Sequence, residues 1–227
     1  KATLLTDGLR YQHAYRMVCS LNDDEVGEGL ARMGRRPMDV TDLMLRLDSE
    51  LSELAIEPHR VVEHDRALIA QLDVLGSGRG IARDIADKAQ DRMMLAVLIE
   101  RWRDYKTAHD LWEYIDQVRL AQRIVDQFPD TITDIRSRLD IVLLDEYQDT
   151  SIAQRQLLQT LFGDGFPVTA VGDPCQAIYS WRGASVDNIE SFPQHFPRSD
   201  QRPASRYSLA ENRRSGPAVL HVANEIA

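Results

Sequence analysis

IVLLDEYQDT (residues 141–150) and PVTAVGDPCQAIYSWRG (residues 167–183) carry the reading of the whole chain. Ile141 to Leu144 is an unbroken apolar run of strand length that ends in two adjacent carboxylates, Asp145 and Glu146. A run without polar alternation predicts a strand buried on both faces, as in the parallel sheet of an α/β protein. Ligands of such sheets bind at the carboxyl ends of the strands, where Asp145 and Glu146 stand. Val168 to Val171 predicts a second strand, followed by the turn Gly172-Asp173-Pro174. Gln176, Tyr179, Trp181 and Arg182 come next, an amide, two aromatic rings and a guanidinium within a short span. That mixture suits a surface that meets both a phosphate and a stacked base.

The two stretches resemble motifs II and III of superfamily 1 DNA helicases of the UvrD/Rep/PcrA family. The family pattern is an apolar strand followed by DExxQDT, then VGDxxQxIYxWRGA; this chain has LLDEYQDT and VGDPCQAIYSWRGA. The tail ENRRSGPAVLHVANEIA, with Asn212, Arg214 and Ser215, resembles motif IV. The resemblance implies an α/β fold, a partial RecA-like (P-loop NTPase) parallel sheet with a large all-helical insertion subdomain called 1B. It divides the chain into a 1B-like insertion over residues 1–118, the C-terminal part of domain 1A over 119–204, and the start of domain 2A over 205–227.

Bulk properties set bounds on this reading. With 227 residues, 43% of them hydrophobic, the chain can hold one good core or two small ones. A net charge of −9 argues against gripping nucleic acid by bulk charge, although a few arginines can still line a local groove. Cys19 and Cys175 offer no disulfide framework, and no Cys/His cluster suggests zinc. No run of about 18 apolar residues is present to span a membrane, and no signal peptide precedes the first helix, so a cytoplasmic location is expected. The first residue is not methionine and the last residues read as helix, which suggests an internal piece of a longer protein.

Taken in order, Thr6-Asp7 predicts the cap of a helix to about Leu21. Residues 22–37 read as a loop with at most a short helix. Thr41 is expected to open a second helix, and Pro58 suits the first turn of a third. The break GSGRG (76–80) lacks the Gly-Lys-Ser/Thr of a P-loop and reads as a helix break. A long helix from Ile81 to about Lys106 follows, and Asp110 is expected to cap another reaching Gln127. Trp102, Tyr105, Trp112 and Tyr114 read as packing residues rather than base-stacking ones, and His59, His64 and His109 as surface residues. Ser151 with Gln154 forms a capping-box pattern ahead of a helix over 152–162. A short helix from Ser185 towards Phe192, a proline-containing linker over 193–203, a short strand at Arg206–Leu209 and a tail helix capped by Ser215 complete the prediction.

Hydrolysis of a nucleoside triphosphate requires a carboxylate to hold Mg²⁺, commonly through water, and a second to orient and deprotonate the attacking water. Asp145 is assigned the first role and Glu146 the second, the roles the family gives these motif positions. The resemblance further implies that Gln176 contacts the γ-phosphate of ATP and couples hydrolysis to the DNA. It makes Arg214 a finger reaching the γ-phosphate from the second domain, and Tyr179, Trp181 and Arg182 contacts to single-stranded DNA. Where the family often has an aromatic residue that stacks on adenine, this chain has Arg213, whose guanidinium plane can also stack. Gln148 and Asp149 are read as organising residues, Asp149 also as a cap for the next helix. No GxxxxGK[ST] occurs, so this stretch by itself is expected to be inactive. The expected whole is an ATP- and Mg²⁺-dependent 3′-to-5′ helicase acting on single-stranded DNA and duplex junctions in repair or recombination. One alternative is the helicase subunit of a helicase–nuclease of the AdnB or RecB type, with a partner subunit. Another is a helicase-like module that binds DNA or a partner without hydrolysis.

Overall fold

The computed structural model describes residues 2–21, 25–74, 80–178, 186–209 and 211–226. Five helices form a first block: α1 (Asp7–Cys19), α2 (Glu25–Met33), α3 (Pro37–Glu53), α4 (Pro58–Val74) and α5 (Ile81–Ala108). Their apolar faces meet in one core, with Ala14, Met17 and Val18 from α1, Val40, Met44 and Leu51 from α3, and Leu98, Ile99 and Trp102 from α5. Trp102 is fully buried, as its reading as a packing residue requires, whereas Tyr114, read the same way, is 73% exposed. Helix α3 begins a turn earlier than expected. Pro37, with its ring-fixed φ and no N–H to satisfy, occupies the first turn, and Thr41 lies inside, its hydroxyl donating to the Pro37 carbonyl at 2.8 Å. The segment read mainly as a loop contains α2.

Helix α4 packs along α5, and an ion pair buried at its carboxylate end joins them. Asp65, with no exposed surface, accepts from Arg92 Nε at 2.7 Å and also pairs with His64 at 3.1 Å. Burial pushes the Asp65 carboxyl up, but these bonds outweigh it and hold the group below its ordinary value.

The chain enters and leaves this block through a parallel pair of short strands, β1 (Thr3–Leu4) and β2 (Leu111–Trp112). Thr3 pairs with Leu111 and Leu4 with Trp112, the N–H of Thr3 donating to the Asp110 carbonyl and that of Leu5 to the Trp112 carbonyl, both at 2.8 Å. Asp110 is therefore not a helix cap. It sits in a left-handed turn (φ 53°) ahead of β2, and α6 (Tyr114–Gln127) starts after Glu113, whose N–H donates to the Asp116 carboxylate at 2.9 Å.

A closed circuit of alternating charges ties α6 to the block. In order around it come Arg10, Asp48, Arg103, Glu57, Arg119, Asp116, Lys106 and Glu113, which returns to Arg10. Six of the eight links lie between 2.6 and 3.2 Å, and those of Arg10 to Asp48 and Arg119 to Asp116 are 3.9 Å. The Arg10–Glu113 link is a close charge contact rather than an aligned hydrogen bond. Lys106 is buried and contacts both Glu113 and Asp116. Burial pushes the Glu57 carboxyl up while the charges and hydrogen bonds of Arg119 and Arg103 bring it below its ordinary value.

The second half follows from α6 through α7 (Asp130–Ser137), a helix the sequence reading missed, into β3 (Val142–Leu144). Helix α8 (Ile152–Phe162) then leads to β4 (Val168–Ala170), parallel to β3 in the register Val142–Val168, Leu143–Thr169 and Leu144–Ala170. A helix between two parallel strands is the α/β unit expected. Ser151 caps α8 as its sequence predicts, its Oγ accepting from the Gln154 N–H while Gln154 accepts from the Ser151 N–H. Asp149, in a 3₁₀ turn before it, caps nothing.

The apolar run of β3 is not buried on both faces. Val142 and Leu144 face the aromatic cluster of Tyr147, Phe162 and Phe196, whereas Leu143 is 72% exposed. Strand periodicity sends Leu143 and Thr169 to the opposite face, which no described element covers. Beyond β4 come α9 (Val186–Glu190) and α10 (Phe192–His195). The proline-containing segment is no free linker at its start: Phe192 and Phe196 stack with ring centroids 4.9 Å apart, and both meet Tyr147 edge-on. Residues 206–209 form no strand, and Tyr207 and Leu209 are almost fully exposed. Helix α11 (Pro217–Ile226) opens at Pro217, with the Gly216 carbonyl accepting from Val219 and Leu220, so Ser215 is not its cap. Among the described residues no helix is long and apolar enough to cross a membrane.

Candidate functional site at two parallel strand ends

The carboxyl ends of β3 and β4 lie side by side because the ladder continues past both strands. The Val171 N–H donates to the Leu144 carbonyl at 2.8 Å, and the Tyr147 N–H donates to the Val171 carbonyl at 3.0 Å. Between those two bonds the chain carries Asp145 and Glu146, both exposed. Glu146 adopts the left-handed conformation (φ 49°, ψ 41°), uncommon for a residue with a side chain and of order 1–3 kcal/mol in cost. The Asp149 N–H, donating to the Glu146 carbonyl at 2.9 Å, and the burial of Tyr147 hold the turn in place. The Glu146 N–H also donates to Asp145 Oδ1 at 3.0 Å.

Four side chains then join the two strand ends. Gln148 is 1% exposed; its Nε2 donates to Glu146 Oε2 at 2.7 Å, and its Oε1 accepts from the Asp173 N–H at 3.1 Å. The Asp173 carboxylate accepts from Gln176 Nε2 at 2.8 Å and from the Cys175 N–H at 2.9 Å. Those two bonds, the Gln176 bond foremost, hold the Asp173 carboxyl below its ordinary value. Gly172 makes the approach feasible: a Cβ there would lie 2.5 Å from Gln148 Oε1 and 2.6 Å from Ile189 Cδ1. Asn188 Nδ2 donates to the Thr150 carbonyl at 2.7 Å and fastens α9 under the same turn.

The structure thus brings Asp145, Glu146 and Gln176 to one edge, linked through Gln148 and Asp173. The sequence reading named Gln148 only as an organising residue and did not single out Gly172 for its lack of a side chain. Tyr179, Trp181 and Arg182 lie outside the described residues. Arg213 pairs with Glu211 at 2.7 Å, and Arg214 is exposed, its N–H held by Asn212 Oδ1 at 3.0 Å. Among the described residues no ion pair joins Arg214 to Asp145 or Glu146. Nor do they contain a cluster of three or more His, Cys, Asp or Glu side chains able to enclose a metal by themselves.

Sequence comparison finds relatives of this chain. A segment of 163 residues, 71% of this chain, is 28% identical to the ATP-dependent DNA helicase PcrA of Staphylococcus epidermidis and covers 22% of that protein. A segment of 133 residues, 59% of this chain, is 29% identical to the ATP-dependent DNA helicase PcrA of Staphylococcus aureus and covers 18% of it. The chain therefore corresponds to only a minor part of the length of these relatives. Residues 45–197, which run from inside α3 to just past α10 and include both strand ends, match the UvrD/REP helicase N-terminal domain, and the chain belongs to that family.

Proposed function

We propose that this chain is part of an ATP-dependent DNA helicase, a 3′-to-5′ motor that moves on single-stranded DNA in repair or recombination. The observation that carries the reading is the placement of Asp145, Glu146 and Gln176 on one edge formed by two parallel strand ends. Residues 1–118 act as the helical 1B subdomain, 119–204 as part of a RecA-like domain 1A, and 205–227 as the opening of domain 2A. The helical block α1–α5 and the β3-α8-β4 unit support that division.

An attacking water must lose a proton as its oxygen bonds to the γ-phosphorus and the bridging P–O bond to ADP breaks. Glu146 takes that proton. Its Oε2 accepts from Gln148, which leaves Oε1 of this exposed residue to act as the base. Asp145 suits a magnesium ion held by one carboxylate together with water and phosphate oxygens, since its Oδ1 is occupied by an N–H and the group is exposed. When bound, Mg²⁺ neutralises charge on the phosphates. Gln176, an exposed amide fixed by Asp173, serves as a donor to the γ-phosphate, and Arg214 and Arg213 reach the nucleotide from domain 2A. Tyr179, Trp181 and Arg182 stack on and steer single-stranded DNA, an arrangement tolerant of any base.

The test is steady-state ATPase activity of the full-length protein, with and without single-stranded DNA, beside Glu146→Gln. DNA-stimulated turnover that falls about 10²- to 10⁴-fold in the variant, with nucleotide binding retained, is the expected outcome. Absence of turnover in the unaltered full-length protein sinks the proposal.

A further inference from the structure

We infer that Gln148 is the positioning residue that couples the turn after β4 to the proton acceptor Glu146, so that the Gln176 end of the site sets the orientation of the base. The inference rests on the ATP-hydrolysis reading above.

The geometry leaves little freedom in this connection. The Asp173 N–H can only donate, so the Gln148 atom facing it at 3.1 Å must be the amide oxygen. The amide nitrogen then necessarily faces Glu146, where it donates at 2.7 Å to a carboxylate, a charge-assisted bond. Both ends of one buried, planar group are thereby committed, one to each strand end. The Asp173 carboxylate extends the connection to Gln176 at 2.8 Å. Gly172 makes the close approach possible, because a Cβ there would lie 2.5 Å from Gln148 Oε1. Glu146 would otherwise be poorly held. It is exposed, sits in a left-handed turn and has its carboxylate fixed from the protein side by Gln148. A shift of the turn that carries Asp173 and Gln176 therefore rotates or releases the Glu146 carboxylate, through a path of three hydrogen bonds and no charge transfer.

Two variants of the full-length protein separate this from simple filling of space. Gln148→Met keeps the volume and removes both bonds. Gln148→Glu keeps an oxygen for the Asp173 N–H but replaces the donor by a carboxyl that repels Glu146 or competes for its proton. Both are expected to lower the kcat of DNA-stimulated hydrolysis by about tenfold or more while the KM for ATP stays within about threefold, as misplacement of a reacting group does. In a Glu146→Gln background neither should lower kcat further, since a residue that acts through Glu146 has nothing left to position. Thermal unfolding of each variant checks that the fold is retained, and Gln148→Glu, which keeps the backbone contact, is the decisive one should Gln148→Met unfold. Unchanged kcat in Gln148→Glu, or a further full loss in the Glu146→Gln background, overturns the inference while leaving the motor reading intact. A full-length protein with no turnover overturns the motor reading and this inference with it.

Discussion

Tyr147 carries a fully buried phenol whose oxygen finds no hydrogen-bond partner among the described residues. An unsatisfied buried hydroxyl is a net liability, so Tyr147→Phe is expected to stabilise the protein by about 1 kcal/mol in a urea titration, keeping the edge-on contacts to Phe192 and Phe196. Burial pushes the phenol up to about 12, the nearby Arg155 opposing this in part, from an ordinary value of 10.0. Between those values the unfolded chain has released its proton and the folded chain has not. The contribution of a raised group is complete below pH 10 and is lost as pH rises towards 12, so stability falls across that window. Tyr147→Phe should lose less stability than the parent between those pH values, and identical pH slopes would refute the assignment. The same residue fixes the turn that displays Glu146, so a local excess of burial supports an exposed functional group.

At the scale of elements, what the sequence revealed depended on whether the signal was local. Helix α8 was legible to its ends, because Ser151 and Gln154 satisfy each other within one turn. Ser151→Ala is expected to cost about 1 kcal/mol of stability, measured by thermal unfolding, with no change in the β3–β4 register. Thr41 and Asp110 looked like caps by residue type alone, but Pro37 and the β1–β2 pairing decided those boundaries from outside. Strands β3 and β4 and their parallel relation were also legible from two apolar runs on either side of a helix. The exposure of Leu143 was not, since an all-apolar strand says nothing of which elements cover each face. Phe196 looked like part of a linker because Pro193 and Pro197 flank it, yet its ring packs on Tyr147, far away in the chain. Asp145, Glu146 and Gln176 could be picked from motif spacing. The bond from Gln148 to the Asp173 N–H could not, because it spans 25 residues and exists only once the strands pair.

Over the whole molecule, the charge circuit decides how firmly α6 and the helical block are joined. Its members differ in burial, and so should their variants. Lys106 is 3% exposed and bridges Glu113 and Asp116. Lys106→Met leaves Glu113 with Arg10 as its remaining cation and Asp116 with Arg119 at 3.9 Å, and should cost about 3 kcal/mol. Glu57 lies on the open side, its side chain 52% exposed, and Glu57→Gln should cost about 1 kcal/mol or less. Urea unfolding of the two variants checks the contrast, and equal losses would mean that the circuit acts as one unit rather than through its buried arc. The β1–β2 pair adds a mechanical consequence. Its strands run parallel and side by side, with β1 entering the helical block and β2 leaving it. Tension applied to the two chain segments outside the block pulls β1 and β2 in opposite directions along their length. The bonds of the pair are then sheared together instead of being peeled one at a time, and the clasp carries load as a lap joint does.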